Sequence, residues 1–305
     1  MRLNTAGRIK AFGIVRDMLG LAALLAITLP FAVRQHTQHS VASSARTLRV
    51  TFLNVGKGDS AVLETPSGQV VVVDTGGKLA NGADHGSRTI APFLRSHGRG
   101  RISVLLLTHP HPDHISGAAT LLQEFPVGVL LDNGVNADSS EVRRYRQIAQ
   151  DRGVPCHVGA RGLVITLGEG ITLRALAPPR TTAAGRVNNS SIVLRLEYGE
   201  TAFLLTGDAE AESESEMLAG GQNLACNVLK VGHHGSNAST SAELLAAAHP
   251  QIAVISVNAN NGAGYPHPEV LDRLRTAGAR VYRTDLNGNV ICLSDGAHVQ
   301  VETER

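Results

Sequence analysis

The stretch LLLTHPHPDHISG, Leu105 to Gly117, places His109, His111, Asp113 and His114 within six positions, directly after an apolar run. Imidazole nitrogens and carboxylate oxygens suit Zn²⁺, Mn²⁺ or Fe, and histidine at neutral pH binds without first shedding a proton at much cost. On a loop leaving a strand, His109 and His111 can aim at one cation. Asp113 and His114, at the start of the next helix, can aim at a second. A pair of cations needs a bridging oxygen and further ligands. Asp208 in LLTGDAE is the candidate bridge, followed by His233 and His234 in VGHHGS and His267 in YPHPEV. All lie at expected strand ends or at the start of the next helix, the edge where open α/β sheets place their sites. Two such ions can activate water, polarise a phosphoryl or carbonyl oxygen and stabilise the departing oxygen.

The elements that must position these residues are legible as alternating runs. VTFLNV, SAVLET and QVVVVD read as strands, with PSG as a turn between the last two. QVVVVD is β-branched and apolar, as expected of a strand covered on both faces. A helix near Thr89–His97 and the buried strand ISVLLLTH lead into the histidine cluster. Helices follow at Ala118–Glu124 and in DSSEVRRYRQIAQDRG, with an N-cap signal and Gly153 as the stop. Short strands are expected at Pro155–Gly159, Leu163–Leu167 and Ile171–Ala177. A hairpin turns at Gly199 and Glu200. Strand and helix then alternate through CNVLKVG, STSAELLAAAHP, QIAVISVN and HPEVLDRLRTAG, closing on the strands ARVYRTD, GNVICLS and HVQVET. Both halves run strands first and then alternate, which predicts an α/β fold of two packed sheets with helices outside, a four-layer αβ/βα sandwich.

Charge and cysteine content narrow the function classes. Of 28 basic and 26 acidic residues, five and one lie in 1–45, leaving 23 and 25 in 46–305. The main domain therefore lacks the overall basic footprint of a sequence-blind nucleic-acid binder. Cys156, Cys226 and Cys292 are far apart and form no CxxC or disulfide framework. Cys226 and Cys292 lie in apolar runs and are expected to be buried.

Residues 1–45 read as a unit of their own. Met18–Val33 carries no charge and follows Arg8, Lys10 and Arg16, the pattern of a secretory signal or a short membrane anchor. Counted from Phe12 to Val33 it reaches spanning length but includes Arg16 and Asp17. The positive-inside rule places the N-terminus in the cytoplasm and residues 46–305 outside, periplasmic or secreted. Both a cleaved signal and an uncleaved anchor fit.

HPHPDH matches the signature of the metallo-β-lactamase fold superfamily. TFLNVGKGDS, VVVDTGG, NNSSIVLRLEYG, FLLTGDAE, LKVGHHGSNAST and YPHPEVLDRLRTAG resemble, in order, the extracytoplasmic hydrolase domain of ComEC competence proteins and stand-alone relatives. The resemblance covers about Leu48 to Glu302. It implies two divalent ions, Zn or Mn, with His109 and His111 in site one, Asp113 and His114 in site two and Asp208 between them. It also implies that Asp74 in VVVDTGG braces the site without binding metal. The family's third-motif histidine is missing, because the interval holds only His157, in an unmatched context, and shows Asn188–Asn189 instead. Site one is then expected to recruit His233 or to hold its metal loosely. His267 is expected as the last site-two ligand. His234, or His233 if unligated, is expected to protonate the leaving oxygen, and Asp113 to orient the attacking water as well as bind metal.

ComEC proteins pass DNA through a membrane channel, and this domain is thought to degrade the strand left outside. The resemblance thus implies a metal-dependent phosphodiesterase or nuclease, acting on a phosphodiester with single-stranded DNA as one candidate. Few platforms exist for stacking bases: four Phe, four Tyr and no Trp follow residue 45. A hydrolase of another ester, thioester or lactam, or a metal-binding module without turnover, are the alternatives. Lys57 in VGKGDS sits in a turn that is not a P-loop, where it either approaches a phosphate or is simply solvated.

Overall fold

The computed structural model describes residues 26–27, 47–135, 139–179, 187–259 and 261–305. The segment 12–33, expected as signal or anchor, lies outside them apart from two residues. Among the described residues no helix is long and apolar enough to cross a membrane. The first half runs β1 (Ala26–Ile27), β2 (Leu48–Phe52), β3 (Ala61–Glu64), β4 (Val70–Val73), α1 (Ala91–Ser96), β5 (Ile102–Leu106), α2 (Pro112–Ile115), α3 (Ala118–Glu124), β6 (Val127–Asp132), α4 (Ser140–Asp151) and β7 (Cys156–Val158). The second runs β8 (Val164–Thr166), β9 (Thr172–Ala177), β10 (Val193–Tyr198), β11 (Thr201–Leu205), α5 (Ala211–Ala219), β12 (Val228–Lys230), α6 (Ala242–Ala248), β13 (Ile252–Ile255), α7 (Pro268–Thr276), β14 (Arg280–Arg283), α8 (Thr284–Asn287), β15 (Val290–Ser294) and β16 (Val299–Thr303).

The strands form two sheets, ordered β16-β15-β2-β3-β4-β5-β6-β7 and β1-β8-β9-β10-β11-β12-β13-β14. Strands β4 to β7 are parallel in the first sheet, and β11 to β14 in the second. Strand β4 shows why the layers form. Val71 and Val73 enter the core between the sheets, whereas Val70 and Val72 enter the core under the helices. The period of two thus feeds both cores from one strand. Leu94, Leu121, Leu122, Val142 and Tyr145 bring α1, α3 and α4 onto the first sheet. Met217, Leu244, Val270 and Leu274 bring α5, α6 and α7 onto the second. The architecture is the four-layer αβ/βα sandwich expected from the sequence.

Local signals explain the helix starts. The Ser139 and Ser241 hydroxyls accept from the Val142 and Leu244 amides and cap α4 and α6. Pro268 opens α7, where its missing N–H costs no helical bond. One element differs from expectation. The run ARVYRTD stops as a strand at Arg283, and α8 follows. Thr284 Oγ1 accepts from Val257 N at 3.0 Å and Arg283 N donates to Asn287 Oδ1 at 2.9 Å, so a distant loop and a local turn end the ladder. All three cysteines are free; Cys226 and Cys292 are buried and Cys156 is exposed.

Candidate metal centre

The carboxyl ends of the parallel strands from both sheets meet over one site. Asp74 follows β4, and Thr108 to His114 follow β5. Asp208 follows β11, His233 and His234 follow β12, and Ser256 follows β13. His111 ends its extended stretch at φ −71° and ψ 143°, and Pro112 starts the short turn α2 that carries Asp113 and His114.

Asp208 is the hub. Its Oδ2 lies 3.3 Å from His114 Nε2, 3.7 Å from both His109 Nε2 and His234 Nε2, and 3.8 Å from His233 Nε2. Asp113 Oδ2 lies 3.6 Å from His234 Nε2. His111 Nδ1 lies 3.0 Å from His109 Nε2. The ligand atoms of His109, His114 and Asp208 lie within 4.8 Å of one another, as do those of Asp113, His114 and His234.

A second ring of bonds sets which nitrogen of each histidine faces inward. Asp74, fully buried, accepts from Thr108 N at 2.7 Å, from Thr108 Oγ1 at 2.7 Å and from His114 Nδ1 at 2.8 Å. Because the Thr108 hydroxyl donates to Asp74, it accepts from His109 Nδ1 at 3.2 Å. His234 Nδ1 donates to the Ser256 carbonyl at 3.0 Å. His109, His114 and His234 therefore carry their protons on Nδ1 and turn Nε2 inward, the arrangement that metal-binding histidines need. His114 Nε2, His234 Nε2 and Asp208 Oδ1 are buried without a hydrogen-bond partner. Buried polar atoms are rarely left unpaired, so this donor set fits divalent cations. Asp74, His233 and His234 also adopt positive φ, at 60°, 45° and 55°, unusual for side-chain-bearing residues. Such strain collects at functional sites.

The charges are interdependent. Burial opposes a charge on His114, yet Asp208 and Asp74 outweigh it and raise its pKa well above the ordinary value. Burial likewise opposes a charge on His234, and Asp208, Asp59 and Asp113 raise its pKa to about 9. Burial and the neighbouring His114 hold His109 well below the usual imidazole range. Burial pushes the Asp208 carboxyl up, but His114 and His234 pull it well below its usual value.

The expectations for the later histidines divide. His233 and His234 both reach Asp208. His267, expected as the last site-two ligand, is not among the described residues whose donor atoms converge. It caps α7, and its Nδ1 accepts from Asn237 N at 3.0 Å. His234 Nε2 stands instead beside Asp113 and Asp208. His234 Nδ1 is bonded to a carbonyl and its Nε2 faces into the site, an orientation that serves a ligand and, when protonated, a proton donor to a leaving group alike. His157 lies on the exposed edge strand β7. Asn188, in the interval that lacks the histidine, donates to Glu210 at 2.8 Å, and Glu210 Oε1 lies 3.3 Å from His233 Nδ1. Asn188 and Glu210 thus back His233 from outside.

Sequence reasoning missed Asp59, Lys230 and Glu210. Asp59 lies in the VGKGDS turn, read only for its lysine, and pairs with Lys230 across the two sheets. The turn fits against α2 through Gly58, whose φ is 133° and where a Cβ would run into Asp113 O. Asp59 N donates to that same carbonyl at 3.2 Å. Lys57, about half exposed, then sits 3.5 Å from Asp113 Oδ2.

The Metallo-beta-lactamase superfamily profile matches residues 53–259. The chain belongs to that superfamily. Curated relatives include ComE operon protein 3 of Bacillus subtilis (strain 168), 34% identical over 79% of this chain and 32% of the relative. Competence protein ComA of Neisseria gonorrhoeae is 32% identical over 78% of this chain and 31% of the relative. This metallo-β-lactamase superfamily chain therefore spans about a third of the length of those proteins. Among solved structures, the metallo-β-lactamase fold protein YhfI of Bacillus subtilis matches with a TM-score of 0.50 at 12% identity, over 77% of this chain and 95% of YhfI. CmlA, a diiron β-hydroxylase from Streptomyces venezuelae, matches at 0.53 and 13% identity, over 84% of this chain and 54% of CmlA. These likenesses concern the fold. The superfamily implies divalent metal ions and supports a metal-dependent hydrolase, and the clusters around Asp208 are candidate ligands.

Proposed function

We propose that residues 46–305 form a two-metal phosphodiesterase of the nuclease type. The observation that carries this reading is Asp208 Oδ2 within 3.8 Å of four inward-facing histidine nitrogens. One carboxylate so placed can serve two cations. We assign His109, His111 and His233 to site one, and Asp113, His114 and His234 to site two, with Asp208 between them. His233 thereby takes the place of the missing histidine, and His267 and an acid role for His234 are set aside. Divalent ions held there, Zn²⁺ or Mn²⁺, would activate water and polarise a phosphoryl oxygen. Asp113, partly exposed at the mouth, orients the attacking water, and Lys57 beside it offers a cation to a phosphate.

A phosphodiester is supported by the relatives, one of which is named a competence protein. Single-stranded DNA is the first substrate to try. We assign residues 1–45 to export or anchoring and the catalytic unit to the extracytoplasmic side, on the basic-then-apolar pattern of the sequence.

The test is to assay the purified chain with Mn²⁺ or Zn²⁺ against single-stranded DNA, bis-p-nitrophenyl phosphate, a thioester and a β-lactam, beside Asp208→Asn. Metal-dependent cleavage of the phosphodiesters, lost in the variant, is expected. Cleavage of the thioester or β-lactam alone overturns the substrate class. Metal binding without any turnover overturns the enzymatic reading.

A further inference from the structure

We propose that Asp59 and Lys230 act as one positioning unit that aims His234 and thereby sets the affinity of the second cation. This rests on the two-cation reading above and adds to it a residue pair outside the ligand set.

The pair is buried at both ends: the side chains of Lys230 and Asp59 are 4% and 8% exposed. It joins the two halves of the molecule. Asp59 immediately precedes the strand segment leading into β3 of one sheet, and Lys230 ends β12 of the other. Lys230 Nζ holds Asp59 Oδ2 and also reaches the Gly207 carbonyl at 3.4 Å, next to Asp208. Asp59 Oδ1 has no hydrogen-bond partner and lies 3.4 Å from His234 Nδ1. Its Oδ2 lies 4.0 Å from His114 Nδ1.

A buried ion pair is a poor device for stability, since apolar residues of similar volume commonly serve the fold as well. What distinguishes this pair is what it touches. A carboxylate beside Nδ1 of a metal-facing histidine fixes the ring and makes Nε2 a better donor. Asp74 does this for His114. Asp59 lies 3.4 Å from His234 Nδ1 without a hydrogen bond and acts on that ring by its charge, the Ser256 carbonyl taking the proton. Lys230 has a separate task. Asp59, Asp208 and His234 have donor atoms within 4.8 Å of one another, so a free Asp59 could itself turn onto a cation. Engaged by the ammonium group, Asp59 stays behind the ring. Lys230 also offsets part of the charge of four clustered carboxylates, Asp59, Asp74, Asp113 and Asp208.

The test titrates the metal-stripped full chain with Mn²⁺ or Zn²⁺ by calorimetry, for wild type, Asp59→Asn, Lys230→Met, the double variant and Lys230→Arg. The melting temperature of each metal-free protein is measured in parallel. Each single substitution is expected to weaken one of the two binding events, that of the site holding His234, by about 10–100-fold and leave the other unchanged. The double variant, which leaves no lone buried charge, is expected to be no weaker than the weaker single, as for two parts of one unit. Lys230→Arg, which keeps the charge, is expected to recover most of the affinity. Equal weakening of both events, or a lowered melting temperature with intact affinity, would show a purely structural pair and overturn the proposal. A wild type that binds one cation overturns the two-cation reading, and a single event untouched by either substitution overturns the positioning unit as well. Two cations bound without phosphodiester cleavage would remove only the proposed substrate.

Discussion

Replacing Asp74 with asparagine probes the support of both cation sites at once. The Asp74 carboxylate accepts three hydrogen bonds, two from Thr108 and one from His114. An amide of the same shape keeps one acceptor oxygen, which can hold the Thr108 amide. Its NH₂ then faces two donors, the Thr108 hydroxyl and His114 Nδ1–H. Hydrogen bonds to a charged acceptor contribute about 1.5–3 kcal/mol each. Loss of two would cost ~3–6 kcal/mol, but the variant no longer buries a carboxylate, whose desolvation costs several kcal/mol. The two effects oppose, so the metal-free fold is expected to lose no more than about 1–3 kcal/mol. Metal affinity has no such offset. The relief available to the ring is to move its proton to Nε2, the atom that faces Asp208. Thr108, released from Asp74, likewise ceases to fix His109. Both cations should therefore weaken, each by about 10–100-fold, or ~1.4–2.8 kcal/mol. Calorimetric titration of stripped protein, with chemical denaturation of the metal-free form, reads both quantities. An Asp74→Asn protein that takes up both cations with wild-type affinity would refute the claim that this carboxylate sets the two tautomers.

Gly58→Ala would press a methyl group against Asp113 O at a φ that side-chain-bearing residues rarely adopt. Displacing Asp113 by about 1 Å is expected to lower kcat by ~10²-fold, with strain of about 1–3 kcal/mol visible as a lower melting temperature; unchanged kcat would count against the role of Asp113. Lys57→Ala, at a half-exposed side chain, should leave the melting temperature alone and raise KM for a charged diester while sparing a neutral ester; equal kinetics on the two would assign Lys57 to solvent. The raised pKa of His234, about 9, gives opposite pH slopes with and without metal. Its contribution to the metal-free fold is fully present below about pH 6.5 and is lost as pH rises through 9. Metal must displace that proton, so affinity should climb toward pH 9, by up to about tenfold per unit for the proton released. Denaturation and titration at pH 6 to 9 check both slopes, and parallel slopes would contradict the assigned charge.

How much of this was legible in the sequence depended on whether the signal was local. Strand β4 and the run Ile102–Leu106 are uniformly buried, as their β-branched and aliphatic composition demands. The spacing of His109, His111, Asp113 and His114 follows from one strand end and one turn, so the cluster could be read before any fold was known. The end of β14 could not, because the Thr284 hydroxyl that stops it bonds to Val257, 27 residues earlier.

The same distinction explains the site residues that went unread. Nothing in VGKGDS says that its aspartate meets Lys230, since the pairing exists only once β3 and β12 belong to facing sheets. His267 is the converse case. At the start of a helix and after a strand, it has the sequence context of a ligand, but its Nδ1 accepts from the Asn237 amide and its donor atoms do not join the cluster around Asp208. His234, whose neighbour His233 also faces Asp208, was harder to place because two adjacent residues in an extended chain point to opposite sides. The positive φ of both, 45° and 55°, turns the chain sharply enough for each ring to reach the same carboxylate. The glycines on either side, Gly232 and Gly235, leave room for that turn: a Cβ on Gly235 would lie 2.5 Å from Pro266 Cβ. The motif GHHG is thus a backbone device before it is a pair of ligands, and that property lies in dihedral angles that residue spacing does not reveal.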